Sequence, residues 1–553
     1  MRLAPLFALT ATAAAIASAH ASTVIDNANG YTLNANNEIV QFSSLAIDDN
    51  GRIIAVGKAA DVAAKAPGAK HVDMQGRTLI PGLIDAHGHV FGLGEMLTDL
   101  DLTTTTSLPN ALQAIGNYSK ANAQNPWLIG RGWNQEIWKL GRFPTAQELD
   151  GVVSDRPVWL KRVDGHAGWA NTKTLQLAGI DDKTPDPVGG KIMRDANGHA
   201  TGVLVDAAQE LVERKLPQPT EAQARQILDK ALAEMARVGL TSVHDAGIGV
   251  GQDRLYRDYA DHGKLTARVY GMISGTERDF DELAVKGPLN TYANDMYALR
   301  AVKLYADGAL GSRGAALIKP YSDEPHTHGL LFRTDAQIRA AMEKAMKKGY
   351  QVNVHAIGDA GNKQILDGFA KLMPKWHTDG LRNRIEHSQI VQPQDIPRFK
   401  TLGIIPSMQP THATSDMNMA ETRVGHERIK GAYAWRSFLH QGSKIACGSD
   451  FPVESPNPFY GLHAAVTRED HENKPVAGWY PNQAMSLKEA FRCFTLNGAY
   501  AAHQEKVLGS LEPGKWADFI VIDRDLFTMP TYDIYKTQVL QTWVAGRQVY
   551  AKQ

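Results

Sequence analysis

The sequence predicts an α/β protein: a (β/α)8 TIM-like barrel carrying a small composite β-sandwich domain from both termini, with a subdomain inserted after the first barrel strand. Three observations carry that expectation. Eight strand-like segments alternate with helix-like ones through the middle of the chain, β-rich runs occupy both ends, and one connection is far too long for a single βα loop. A chain of 553 residues also exceeds one minimal domain.

From Thr23 to Arg77 short strands and turns dominate. "SSLAIDDNGRIIAVG" alternates and turns at Asn50-Gly51, a pair suited to a tight hairpin. Eight barrel strands are then expected at "LIPGLIDAHGHV", "LTSVHDAG", "ARVYGMI", "RAVKLYADG", "YQVNVHAIGD", "RIEHSQI", "GIIPSMQP" and "KIACGSDFPV". Helical segments separate most of them. In "DAQIRAAMEKAMKKG", Ile338, Ala341, Met342 and Met346 share one face, which reads as core packed on a sheet rather than a binding surface. Residues from about 94 to 217 are rich in Trp, Gly and Arg ("NPWLIGRGWNQEIW", "DRPVWLKRVDGHAGWANT") and read as an insertion at the barrel mouth. The tail, "GSLEPGKWADFIVIDRDLF" and "VLQTWVAGRQVYAKQ", is again β-rich. Residues 22–78 and 501–553 are therefore expected to meet in one small β domain beside a barrel region spanning 79–500.

The bulk composition narrows the function. Lys+Arg and Asp+Glu both total 59, so no net charge argues for nucleic acid or an anionic membrane as partner. Nineteen histidines against two cysteines point any transition-metal site toward nitrogen and oxygen ligands. Cys447 and Cys493 lie far apart in apolar context; buried free thiols are expected, with a single bridge as the alternative. Residues 1–21 carry Arg2, an alanine- and leucine-rich segment and then Ala19-His20-Ala21, the form of a signal peptide with an A-x-A cleavage site. Export is expected, to the periplasm or the medium. No other segment is long and apolar enough to span a bilayer, so no stable membrane insertion is expected, and a homo-oligomer is compatible with the sequence.

In a barrel of this kind, chemistry sits at the C-terminal ends of the strands. The first strand ends in Asp85, His87 and His89, spaced by two and so on one face. The fourth carries Lys303, Tyr305 and Asp307 on one face, and the fifth directs Asn353 and His355 inward. The sixth delivers His387 beside Glu386, and the eighth ends in Asp450. Singly, each has an ordinary explanation as a hydrogen-bonded or turn-forming residue. An unpaired ammonium at Lys303 inside a barrel is costly, however, and the coincidence of six groups, His87, His89, Lys303, His355, His387 and Asp450, at matching strand ends points to a metal centre.

The motifs "PGLIDAHGHV", "VKLYADGALGSRGAAL", "NVHAIGD", "RIEHSQ", "CGSDFPV" and "LGSLEPGKWADFIVID" together resemble the amidohydrolase superfamily, specifically the amidohydrolase 3 branch that includes N-substituted formamide deformylases. The resemblance covers nearly the whole chain after residue 21. It implies a metal-dependent hydrolase, usually with two zinc ions. His87 and His89 would bind the more buried ion, and His355 and His387 the more exposed one. Lys303, N-carboxylated by CO2, would bridge both, and Asp450 would touch the buried ion. The charges balance in that scheme: two divalent ions, a carbamate, Asp450 and a bridging hydroxide leave one positive charge to meet a tetrahedral oxyanion. Hydroxide would attack an amide, N-formyl or N-acyl carbonyl, with Asp450 as catalytic base and then acid.

Substrate contacts are expected from Trp133, Asn134 and His166 in the insertion and from Asp307 and Arg313 after the fourth strand, because these segments border the pocket in related enzymes. Packing explains Trp133 and Trp169 equally well. His244-Asp245 would support the site from behind, and His326 and His328 belong to a solvated loop. The rival functions are a deaminase with one metal ion, a secreted metal- or substrate-binding protein without turnover, and a phosphotriesterase-like hydrolase.

Overall fold

Eight parallel strands form the centre of the computed structural model, which describes residues 21–217 and 219–553. They are β1 (Leu83–Gly88), β2 (Leu240–Ile248), β3 (Arg268–Ser274), β4 (Tyr297–Tyr305), β5 (Gln351–Ala356), β6 (Arg384–His387), β7 (Ile405–Met408) and β8 (Ala446–Cys447), in the segments expected from the sequence. Each pairs with the next in sequence order, and a parallel bridge from Gly88 to Phe451 brings the last strand back to the first. The molecule is thus a (β/α)8 barrel. Near-continuous apolar runs follow, because a strand with helices outside and a filled interior is covered on both faces.

The helices wrap the barrel by local rules. Helix Asp335–Lys347 starts at Thr334, whose hydroxyl accepts from the Gln337 N–H while the Gln337 side chain accepts from the Thr334 N–H. It buries Ile338, Ala341, Met342, Ala345 and Met346. Helix Glu221–Arg237 repeats the same capping box at Thr220 and Gln223.

The apolar run at 78–90 divides in two. Thr78–Pro81 belongs to a second sheet, and the chain enters the barrel only after Gly82. A Cβ on Gly82 would lie 2.1 Å from the Thr241 hydroxyl, so the crossover takes glycine. That second sheet joins both ends of the chain: Phe519–Ile522 pairs antiparallel with Thr78–Pro81, flanked by Val539–Val544 and Arg547–Ala551 on one side and Asn29–Leu33 and Ile39–Phe42 on the other. A four-stranded sheet of Ala21–Asp26, Ser44–Asp48, Ile53–Gly57 and Lys70–Asp73 completes the β-sandwich. The expected leader lies outside the described residues, apart from Ala21 at the start of a strand.

The insertion forms its own six-stranded sheet from Leu100–Asp101, Leu128–Trp133, Val158–Arg162, Ala167–Ala170, Ala200–Asp206 and Gly190–Arg194. Trp133, Leu160, Trp169 and Val203 pack in its core. Cys447 and Cys493 form a disulfide rather than the free thiols expected: β8 carries Cys447 directly against the helical turn of Cys493, a juxtaposition that a 46-residue separation does not reveal. Among the described residues no helix is long and apolar enough to cross a membrane.

Candidate metal centre

Strand pairing brings the rim residues together. His355 on β5 registers with Glu386 on β6, and Ala356 with His387. The His387 ring centroid lies 4.9 Å from that of His87 and 4.5 Å from that of His355; the His89 ring is 5.6 Å from His87. Ligating atoms of His87, His387 and Asp450 all lie within 4.8 Å of one another. Lys303 Nζ is 3.1 Å from His87 Nε2, and Asp450 Oδ1 is 3.4 Å from His87 Nε2 and 3.2 Å from His89 Nε2. Two of these residues depend on unusual backbone. His387 has φ 72° and Asp450 φ 61°, left-handed conformations that non-glycine residues adopt at a cost and that here aim both side chains inward.

A ring of hydrogen bonds fixes the ligating faces. His87 Nδ1 meets Glu386, which pairs with Arg384 at 2.7 Å; Arg384 in turn reaches His244 Nδ1 at 2.8 Å. His387 Nδ1 bonds Gln409 at 2.8 Å. With Nδ1 engaged, Nε2 of both rings is left for the centre. Asp85 ties the first strand to the last: it accepts from the Ser449 N–H and hydroxyl and from the His87 N–H. His412, from the stretch after β7, lies between Asp450 Oδ2 at 3.4 Å and Glu454 at 3.1 Å.

The electrostatics suit a cation. Burial, reinforced by Lys303, pushes the His87 imidazole down to about 4, and burial holds His355 and His387 well below the usual imidazole range. Three buried rings therefore stay neutral with free lone pairs, as ligands must. Burial opposes ionisation of Asp450, but hydrogen bonds from His412 and His89 outweigh it and hold its carboxyl well below the ordinary range. Burial likewise opposes the charge on His412, yet bonds to Asp450 and Glu454 push it up to about 10. Neutral nitrogen donors converging with an anionic oxygen beside a buried lysine form a donor set that fits divalent metal.

The substrate candidates divide. His166 lines the cavities over the centre, its ring 5.2 Å from His355 and its Nδ1 2.7 Å from Asp206. Asn134 lines the second of these cavities. Trp133 does not line them: it is buried in the insertion core and donates from Nε1 to the Leu160 carbonyl. Asp307 is also buried, its carboxylate accepting from the N–H groups of Ala316, Ile357 and Gly358, so it braces the loops after β4 and β5. Arg313 pairs with Asp323 at 2.9 Å, away from both cavities. His326 and His328 are exposed. Sequence reasoning placed Asp85 on the rim face of the first strand without giving it a role, and it missed Arg384, His412, Gln409 and Asp206 as partners of the site. Asp85 was readable from its place at a strand end; the others, His412 among them in the helix that follows β7, acquire meaning only from their contacts.

A (β/α)8 barrel whose rim gathers neutral imidazoles and an ionised aspartate places the protein in the class of barrel proteins with a donor set suited to a metal ion. The chain belongs to the Amidohydrolase family, whose family model matches residues 70–550. It is 33% identical over 88% of its length to the putative amidohydrolase YtcJ of Bacillus subtilis, covering 91% of that protein. It is 30% identical over 95% of its length to the N-substituted formamide deformylase of Arthrobacter pascens, covering 97% of that protein. The fold also resembles an uncharacterized metal-dependent hydrolase from Pyrococcus horikoshii, with TM-score 0.74, 28% identity, and coverage of 92% of this chain and 99% of that one.

Proposed function

We propose that the protein is an exported, metal-dependent amidohydrolase that cleaves a non-peptide carbon–nitrogen bond (amide, N-formyl or N-acyl) in a small molecule. The observation that carries this reading is the convergence of His87, His387 and Asp450 within 4.8 Å, with Lys303 Nζ 3.1 Å from His87 Nε2. His87, His89, Lys303, His355, His387 and Asp450 would hold two divalent ions, with zinc the natural choice for this donor set and Lys303 N-carboxylated to supply two oxygens that share one negative charge. Such ions supply a water activated for attack near neutral pH and polarise the carbonyl.

The side chains do the rest. Asp450, ionised and oriented by His89 and His412, accepts the proton of the attacking water and returns it to the departing nitrogen. His166, oriented by Asp206, borders the space where the carbonyl oxygen would lie. His87 and His387 keep their tautomers through Glu386 and Gln409. Export is supported by the leader-like residues 1–21 and by the Cys447–Cys493 bond, since disulfides persist chiefly in oxidising compartments.

Metal quantitation on purified protein, with a hydrolysis panel of N-formyl amines, N-acyl amino acids, dipeptides, cyclic imides and lactones, tests the proposal. Two ions per chain and cleavage of an amide are expected. Chelation should abolish turnover, and refilling should require bicarbonate together with metal. One ion per chain with ammonia release would favour the deaminase reading; cleavage of phosphotriesters alone would overturn the substrate class.

A further inference from the structure

The cavity over the centre, about 760 Å³ in volume, is lined on one side by His89, Lys303, His355, His387 and Asp450 and on the other by the inserted sheet. That volume suits a small organic substrate rather than a polymer. Three cationic side chains besides Lys303 line it: Arg131, Lys161 and Arg333. Arg131 and Lys161 sit side by side, because strands Leu128–Trp133 and Val158–Arg162 run parallel with these two residues in register.

Two of the three are satisfied. Lys161 pairs with Glu213 at 2.8 Å and Arg333 with Glu277 at 2.8 Å. Arg131 has no carboxylate within 4.0 Å among the described residues. The hydrogen bond its guanidinium makes there is from Nη2 to the Val163 carbonyl at 2.7 Å, and its Nε is buried without a partner. Of the four acidic groups that act on it, Asp101 is engaged by the Thr103 N–H and hydroxyl, Asp164 pairs with Arg162, Asp450 is held by His89 and His412, and Glu95, on the same cavity wall, stands beyond ion-pair distance. Burial pushes the Arg131 guanidinium down to about 10, so it is still a cation at neutral pH. A half-buried, under-bonded guanidinium next to a lysine is costly unless an anion completes it.

We propose that Arg131 is a substrate anchor and that the amide cleaved here bears a carboxylate on the portion lying against the inserted sheet. The inference rests on the amidohydrolase reading and names its substrate class. A planar guanidinium fork matches a carboxylate in a bidentate pair, and one cavity connects Arg131 with the metal-ligand cluster.

The test compares one amide carrying a terminal carboxylate with its methyl ester, in the wild type, Arg131→Met and Arg131→Lys. The wild type should prefer the acid, chiefly through KM. Arg131→Met should erase that preference, raising KM for the acid roughly 10- to 100-fold while the ester changes little. Arg131→Lys, which keeps the charge but not the fork, should retain part of the preference. Equal losses on acid and ester would mean that Arg131 merely supports the fold, and a wild type without preference for the acid would also overturn the proposal. Calorimetric binding of glutarate and of its dimethyl ester separates this inference from the hydrolase reading. Glutarate held by the metal ions alone would bind Arg131→Met unchanged, which counts against the anchor. Glutarate affinity lost in Arg131→Met while no amide is cleaved would keep the anchor and remove the amidohydrolase reading.

Discussion

At Asp450 one carboxylate faces three imidazoles, those of His87, His89 and His412, at 3.2–3.4 Å. Such crowding lets the residue serve as both ligand and proton carrier, and substitution can separate the two. Asp450→Asn keeps the volume and one carbonyl oxygen but cannot take up a proton. Turnover should fall by roughly 100- to 10,000-fold while most of the bound metal remains; loss of metal in parallel with activity would mark Asp450 as chiefly a ligand. One bond further out, Glu386 polarises His87 through Nδ1 and is itself held by Arg384. Glu386→Gln should weaken metal affinity by roughly 10- to 100-fold in a chelator competition titration. Unchanged affinity would mean that the His87 orientation is set by packing alone.

Among the barrel strands, β8 is the least self-sufficient: two residues, Ala446–Cys447, deliver the segment that carries Asp450. Its place is set from outside by Asp85, which binds Ser449, by the Asp450 N–H donating to the His87 carbonyl at 2.7 Å, and by the disulfide to Cys493. Just before Cys493, helix Leu487–Arg492 is fixed by a capping box between Ser486 and Glu489, and Glu489 also accepts two 2.8 Å bonds from Arg436. Burial opposes ionisation of Glu489, but the Arg436 and Ser486 bonds outweigh it and bring its carboxyl down to about 2. Because the folded value lies below the unfolded one of about 4.3, the stabilisation is complete above about pH 4.3 and disappears as pH falls toward 2. The wild type should therefore melt above Glu489→Gln near neutral pH, and the gap should close in acid; a gap independent of pH would assign the effect to packing. With 32% of the Glu489 side chain exposed, solvent screening keeps the gap small.

Across the whole molecule, the β-sandwich is keyed to the barrel by a buried ion pair. Arg268, at the start of β3, places Nε and Nη2 at 2.6 and 3.0 Å from Asp518, lies over the Trp516 ring and is 1% exposed. Asp518 also accepts from the Ala545 N–H, so the pair holds the C-terminal strands against the barrel floor. Arg268→Met would leave a buried carboxylate without its partner and should cost about 3–5 kcal/mol of unfolding free energy, read from a denaturant midpoint. Pairing it with Asp518→Asn should restore part of that loss, since the stranded charge is then gone; no recovery would place the cost in the lost stacking on Trp516.

How far the sequence reaches is clearest along single strands. It determined the eight barrel strands, the helix faces and the rim positions of His87, His89, Lys303, His355, His387 and Asp450, because two-residue and 3.6-residue periods are local properties of the chain. It could not place Trp133 or reveal Arg131. Both stand on one strand two residues apart, which alternation would put on the same face, but the register shifts between them and Gly132 sits at φ 94°. That bulge sends Trp133 into the insertion core while Arg131 lines the cavity. For Asp307 the pattern gave the right face of the strand but not the three N–H groups its carboxylate accepts from, which reach it only after folding. The Cys447–Cys493 bond, the left-handed turns at His387 and Asp450, and the links from Glu386 and His412 to the centre were likewise decided by tertiary structure. Each depends on what a distant segment presents across a gap of a few ångströms, and local patterning carries no record of that.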